Sequence, residues 1–281
     1  MYDFLIWLQG FENPFLTGFF SLVSDIIAPL PLSVIAVIIY WCINKKRGIA
    51  LALSVISAVT VNTGLKLIFR VPRPFNVNEG IKRMDDTDGF SFPSGHSQQA
   101  GTFAYFTVSA VKRKTLGIIL GILLILSVTL SRMYLGMHTP LDVTVGVILG
   151  LMITPAVVFL TKEADEKKKT YILHAVTLIS AILMVFTDFH KDLVSMTGLS
   201  FGAVTGYMID EKYIFYRVPE KTKHKIIAGI TGLITIGAVK LLFAIIPLET
   251  WYIRLFDYGF FGFAVTAIAP YLIKKIIKEG E

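Results

Sequence analysis

Apolar residues in this chain run on for about 20 positions at a time, the length a helix needs to cross a bilayer core, and rarely alternate as in a strand. Nine such stretches are read, at approximately 24–44, 48–69, 96–111, 115–133, 140–160, 171–188, 192–209, 226–246 and 254–273. The third is short, and the sixth and seventh form a tight pair around Asp188-Phe189-His190-Lys191-Asp192. The pattern predicts an all-α fold, a polytopic membrane helix bundle of about nine transmembrane helices. Residues 1–23 have neither a basic start nor a small-residue cleavage site, which argues against a removable signal peptide. They read as an interfacial helix carrying Trp7 and several phenylalanines, or as an extension of the first span.

Lys and Arg gather in alternate loops: Lys45, Lys46 and Arg47; Lys112, Arg113 and Lys114; Lys162, Lys167, Lys168 and Lys169; Lys212, Arg217, Lys221, Lys223 and Lys225; Lys274, Lys275 and Lys278. These are most of the 27 cations. Basic loops face the cytoplasm, so the alternation predicts an external N-terminus, a cytoplasmic C-terminus and an odd number of spans. The chain divides into an N-terminal segment at 1–23, a helical core at 24–160 that carries all the unusual polar patterning, and a four-helix membrane unit at 161–281.

Composition agrees with the pattern. Of 281 residues 54% are hydrophobic and 17% charged, and mean hydropathy is +0.67, which excludes an ordinary soluble enzyme. The net charge of +7 reflects membrane topology rather than a nucleic-acid surface, so no nucleic-acid partner is expected. A single cysteine, Cys42, leaves neither an intrachain disulfide nor a cysteine-based metal cluster.

The cations outside the basic loops collect at the outer ends of spans. Lys66 lies near the end of span two, Arg73 follows beside Pro74, and Arg132 ends span four. Any one of them could simply snorkel to the interface, but three at one depth together with two histidines read as a site. In Pro93-Ser94-Gly95-His96, Ser94 fits a helix N-cap and Gly95 leaves room for a ligand against the backbone. A helix N-terminus offers free N–H groups that suit phosphate, with His96 close enough to exchange a proton. Around the next turn, Thr139, Pro140 and Asp142 fit the N-cap, first and third positions of a helix, a capping box that gives Asp142 a structural task. The functional alternative has Asp142 accept the Nδ1 proton of His138, leaving Nε2 as an unprotonated nucleophile.

These residues resemble the signature of the type-2 phosphatidic acid phosphatases, a superfamily that includes glucose-6-phosphatases, sphingosine-phosphate phosphatases and vanadium haloperoxidases. Lys66, six residues and Arg73-Pro74 form the first part, Pro93-Ser94-Gly95-His96 the second, and Ser131-Arg132, five residues, His138, three residues and Asp142 the third. The resemblance covers roughly residues 45–160, and spans six to nine lie outside it. It implies that His138 attacks phosphorus and carries a phosphohistidine while Asp142 orients its ring. His96 would protonate the leaving oxygen and then deprotonate water, and Lys66, Arg73, Arg132, Ser94 and Gly95 would hold the phosphate. Three fixed cations would neutralise the transferring group, so neither metal nor cofactor is called for. One histidine must be neutral and the other protonated, which implies a bell-shaped pH profile.

The acidic run Asp85-Asp86-Thr87-Asp88 lacks the ligand spacing of a calcium loop and reads as a solvated loop. Phe75, Phe90 and Phe92 could sit among lipid headgroups or merely anchor their loop. The resulting expectation is a plasma-membrane phosphatase with its site outside, acting on a lipid phosphate from the outer leaflet: phosphatidate, lysophosphatidate, a sphingoid phosphate or a polyprenyl pyrophosphate. A soluble sugar phosphate is the alternative substrate. A non-catalytic lipid-binding relative, and an anion transporter using Lys240 and Asp257, are the alternatives of other classes, although Lys240 could simply pair with Glu249 or Asp257. The last four spans could line an acyl cavity, cover the core or form a homodimer surface.

Overall fold

The computed structural model describes residues 1–162, 166–246 and 250–279, whose regular structure is helical with no strand among them. Glu249 lies outside the described residues, as do the side chains of Lys167, Lys168, Lys169 and Lys278. The elements are α1 (Tyr2–Gln9), α2 (Pro14–Ile26), α3 (Pro29–Cys42), α4 (Lys45–Phe69), α5 (Pro74–Val77), α6 (Gly95–Ala110), α7 (Lys114–Tyr134), α8 (Pro140–Lys162), α9 (Glu166–Phe186), α10 (Lys191–Ile209), α11 (Thr222–Phe243), α12 (Trp251–Phe263) and α13 (Ala269–Glu279). Wider turns at Asp210–Ile214 and Ala264–Ile268 continue α10 and join α12 to α13.

A helix covers most of each expected stretch, but fewer than nine qualify as spans. Among the described residues, five are long and apolar enough to cross a membrane: α4 continued to Val77, α7, α8, α11, and Trp251–Ile277. Counting α2 and α3 as one broken span makes six. The shortfall has a physical cause. α6 buries Ser97, Gln98, Gln99 and Thr102, and α10 buries Ser195, Thr197 and Ser200. Small and polar residues packed against other helices lower hydropathy without requiring water.

The chain forms two compact units, residues 1–33 with 57–157 and residues 34–56 with 158–281. In the first, the N-terminal segment is two helices rather than one. The α1 residue Leu5 is fully buried while Trp7 is exposed. Gln9 ties α1 down: its Nε2 donates to the carbonyls of Lys82 (2.9 Å) and Tyr134 (3.0 Å), and its Oε1 accepts from the Lys82 N–H (2.9 Å). Asn13 caps α2 through the Leu16 N–H at 2.9 Å.

Within the same unit α6 and α8 meet backbone to backbone. A Cβ on Gly146 would stand 2.4 Å from the Ser94 carbonyl, and one on Gly150 only 2.1 Å from that of Gln98. These glycines, four apart, form one stripe on α8, the small-residue spacing that lets membrane helices approach closely. Farther along, the Thr154 hydroxyl donates to Thr102 Oγ1 at 3.0 Å.

The second unit repeats the device. Gly198, Gly202 and Gly206 on α10 face Leu255, Gly259 and the Phe263–Thr266 stretch so closely that any Cβ would clash. Trp41 Nε1 donates to the Val265 carbonyl at 2.9 Å, and Lys45 pairs with the fully buried Asp210 at 2.5 Å. Lys240 is paired as well, with Asp257 at 2.9 Å.

Replacing Gly150 with valine should force α6 and α8 apart. Overpacking of this kind costs about 1–3 kcal/mol, so the thermal midpoint in detergent should fall by several degrees. Unfolding at the wild-type temperature would show that the stripe does not hold the pair together.

Candidate active site

Three turns at one end of the first unit supply the site. Local sequence builds each of them. Lys66 sits in the last turn of α4, which stops at Arg70 in a left-handed conformation (φ 50°), and Arg73 precedes Pro74, the first residue of α5. Ser94 caps α6, its Oγ accepting from the Ser97 N–H at 3.4 Å. Thr139 and Asp142 cap α8 reciprocally: Asp142 Oδ2 accepts the Thr139 N–H at 2.7 Å, and Thr139 Oγ1 accepts the Asp142 N–H at 3.3 Å. The capping box expected from the sequence is therefore present. Gly136 (φ 75°) turns the chain out of α7 where a Cβ would lie 2.2 Å from the Lys82 carbonyl.

The turns are joined by specific bonds. Ser94 N–H donates to the Asp142 carbonyl at 3.0 Å, linking the start of α6 to the start of α8. Arg73 is almost wholly buried, and its Nη1 donates to the Met137 carbonyl at 3.1 Å and lies 3.4 Å from His138 Nε2. His96 is half-buried and shares the field of Arg132, Asp85, Lys66 and Arg73. A Cβ on Gly95 would meet the Asn62 side chain at 3.2 Å, and Asn62 Nδ2 bonds the Pro93 carbonyl at 3.2 Å, bracing this turn.

A single segment, Asp85–Phe90, engages all three cations. Lys66 Nζ donates to the Phe90 carbonyl (2.7 Å), Arg73 Nε to that of Gly89 (3.1 Å) and Arg73 Nη2 to that of Asp88 (2.8 Å). Arg132 Nη1 pairs with the Asp85 carboxylate at 2.6 Å and also reaches Ser24 Oγ at 2.6 Å. Asp85 thus departs from the solvated reading of the acidic run, which holds for the exposed Asp86 and Asp88. Burial alone would raise its carboxyl, but the hydrogen bond and charge of Arg132 outweigh that and bring it down to about 2.

The predicted contact between His138 and Asp142 is indirect. His138 Nδ1 lies 3.9 Å from Asp142 Oδ2, beyond hydrogen-bond range. Ser91, which the sequence reading missed, stands between them, its hydroxyl 2.7 Å from Asp142 Oδ2 and 3.4 Å from His138 Nδ1. A proton on Nδ1 can be accepted by Ser91 Oγ, whose own proton goes to Asp142, and this leaves the Nε2 lone pair beside Arg73. Burial pushes the His138 imidazole well below its ordinary value; Asp142 opposes this, while Arg132, Lys66 and Arg73 reinforce it. A neutral imidazole beside fixed cations can attack an electrophilic phosphorus.

The loop phenylalanines Phe75, Phe90 and Phe92 are half-buried. Phe75 joins Tyr134, Leu135 and Met137 in an apolar cluster, and Phe92 meets Phe69 edge-on at 5.2 Å.

A family model described as the PAP2 superfamily, the type-2 phosphatidic acid phosphatases, matches residues 47–166. A second, described as the transmembrane extension of PAP2 superfamily phosphatases, matches 194–280. An undecaprenyl-diphosphatase of Sulfolobus acidocaldarius is 33% identical over 143 residues, 50% of this chain and 68% of that protein. A phosphatidylglycerophosphatase B of Bacillus subtilis is 42% identical over 91 residues, 29% of this chain and 42% of that one. A probable sphingosine-1-phosphate phosphatase of Dictyostelium discoideum is 27% identical over 235 residues, 73% of this chain and 55% of that one. The chain thus spans about half the length of the last two relatives. No solved structure matches it. The three-part motif, its gathering around one cationic site, the apolar helices and these matches together place the chain in the PAP2 superfamily of multi-pass membrane proteins.

Proposed function

We propose that the protein is a metal-independent membrane phosphatase that hydrolyses a lipid phosphate monoester or pyrophosphate through a phosphohistidine. The observation that carries this reading is the convergence of Lys66, Arg73 and Arg132 around His138, with the Nε and Nη2 of buried Arg132 left without partners. Buried guanidinium donors are costly to leave unpaired, and a phosphate oxygen satisfies them. In the first step His138 Nε2 bonds to phosphorus as the bond to the leaving oxygen breaks, and His96 protonates that oxygen. In the second, water attacks the phosphohistidine, His96 takes its proton, and phosphate departs with His138 restored. Lys66, Arg73 and Arg132 supply the positive charge the transferring group needs, and Ser91 and Asp142 hold the ring in its Nδ1–H form.

Lipid is favoured over a soluble sugar phosphate by an apolar groove of about 550 Å³ lined by Phe4, Ile125, Thr129, Met133, Val143 and Val147, among others. It flanks the ends of α7 and α8 that carry Arg132 and Asp142, where a hydrocarbon chain could lie. The names of the relatives point to polyprenyl diphosphates, phosphatidylglycerophosphate and sphingosine 1-phosphate as substrate types. By the alternation of basic loops, the site opens on the outer face of the plasma membrane, on the side of the N-terminus and opposite the C-terminus.

Phosphate release from a panel of phosphatidate, sphingosine 1-phosphate, polyprenyl pyrophosphate and glucose 6-phosphate in detergent tests this reading. Turnover should persist in EDTA, favour a lipid, and fall by at least about a thousandfold in His138→Ala. Strict magnesium dependence, or preference for the sugar phosphate, would overturn it. The pH profile has a definite sign. Protonating His138 removes the attacking lone pair, and its affinity for protons is depressed, so the acid limb of kcat/KM should have its midpoint below pH 6.5. A midpoint at or above that value would contradict a neutral nucleophile. In Ser91→Ala, kcat should drop about tenfold to a hundredfold with little change in KM, the usual cost of losing an orienting partner. An unaltered kcat would remove Ser91 from the relay.

A further inference from the structure

The guanidinium of Arg132 is fully buried. Its five N–H donors are divided unequally. Nη1 serves both Ser24 Oγ and Asp85 Oδ2 at 2.6 Å, whereas Nε and Nη2 have no partner at all. Nε and Nη2 form one edge of the planar group, the edge that takes two oxygens of a phosphate side by side. The opposite corner is thus anchored while the binding edge stays open.

Asp85 is itself held in place. Its Oδ1 accepts the Thr87 N–H at 3.0 Å and the Thr87 hydroxyl at 2.9 Å, which leaves Oδ2 aimed at Arg132. The neighbouring acids do other work: Asp88 pairs with Arg83 through a largely exposed side chain, and Asp86 is exposed. Asp85 is the one carboxylate of the Asp85–Phe90 segment that reaches a site cation; the contacts of that segment to Lys66 and Arg73 come from neutral carbonyls. A charged partner falls to the most deeply buried of the three cations, where desolvation is most costly.

We propose that Asp85 is a positioning residue for phosphate binding: it fixes Arg132 by Nη1 so that the open Nε–Nη2 edge faces the phosphate, without touching substrate itself. This rests on the assignment of Arg132 to the phosphate site. Phosphate can enter without displacing Asp85, because the donors it needs are already open. Asp85 also couples the segment to the site, since the same stretch of chain that seats Lys66 and Arg73 carries the counter-charge of Arg132.

The test compares Asp85→Ala, Asp85→Asn and the control Asp86→Asn, alone and in an Arg132→Ala background, with orthovanadate as the phosphate probe. Asp85→Ala should weaken vanadate inhibition and lower kcat/KM by about 10–100-fold. Asp85→Asn keeps an oxygen at the same place and should recover about tenfold of that loss, while Asp86→Asn should match wild type. In the Arg132→Ala background Asp85→Ala should add nothing, because its effect runs through that guanidinium. Equal losses in both backgrounds, or wild-type vanadate inhibition in Asp85→Ala, would overturn the proposal. So would tighter vanadate binding in Asp85→Asn, since the carboxylate would then be a competitor for the seat. Should Arg132→Ala itself bind vanadate and turn over normally, the assignment of the site would fail instead. A thermal midpoint for each variant separates these outcomes from loss of fold.

Discussion

The site depends on one packing constraint, the closeness of α6 and α8. Because Gly146 and Gly150 present no side chain, the carbonyls of Ser94 and Gln98 can lie where a Cβ would otherwise be. That approach brings the starts of the two helices within a single hydrogen bond, from Ser94 N–H to the Asp142 carbonyl. His96 follows on one helix, and His138 precedes the other by two residues. Two histidines 42 positions apart in sequence thereby enter one charged environment. Inside a membrane, where apolar burial between helices gains little, such close contact is what association rests on.

Electrostatics then shape the ground state. Gathering Lys66, Arg73 and Arg132 in a partly desolvated space opposes folding unless oxygens surround them. The Asp85–Phe90 segment provides four such oxygens, three of them backbone carbonyls whose positions are set by the chain itself. With the cations already oriented by the fold, the proposed reaction would need little rearrangement when a phosphoryl group arrives, which is the condition for effective electrostatic stabilisation. Burial first, and then the same cations, disfavour the charged form of the His138 imidazole, so in the proposed phosphatase one charge cluster would serve both phosphate and nucleophile.

Local features of the site were legible in the sequence, and distant ones were not. The caps at Ser94 and at Thr139 with Asp142 depend on residues three positions apart, and the structure contains both. The role of Ser91 escaped because its partner Asp142 lies 51 residues away, and spacing alone made a direct bond to His138 look sufficient. Asp85 escaped for the same reason. An acidic run reads as solvated until folding brings Arg132, 47 residues on, against one of its members. At the level of the fold, helices stand where the apolar stretches predicted them, but among the described residues only five or six meet the length and hydropathy of a span, since α6 and α10 bury hydroxyl and amide side chains that hydropathy scores as polar.

The arrangement of charges also bears on conduction, the rival use of cations in a membrane. An ion path needs successive sites that bind weakly enough to release. Lys240, the cation that raised that reading, is bonded to the buried Asp257 carboxylate and stacked over the rings of Tyr258 and Phe261 at 4.4 and 4.9 Å. Its charge is spent within the second unit. In the first unit the cations converge on one imidazole rather than forming a series, and Arg73 reaches both that ring and the loop beneath it. Cations fixed by backbone oxygens suit the proposed phosphatase better than a conduction path, because immobility at the attacked atom is what an in-line displacement at phosphorus requires.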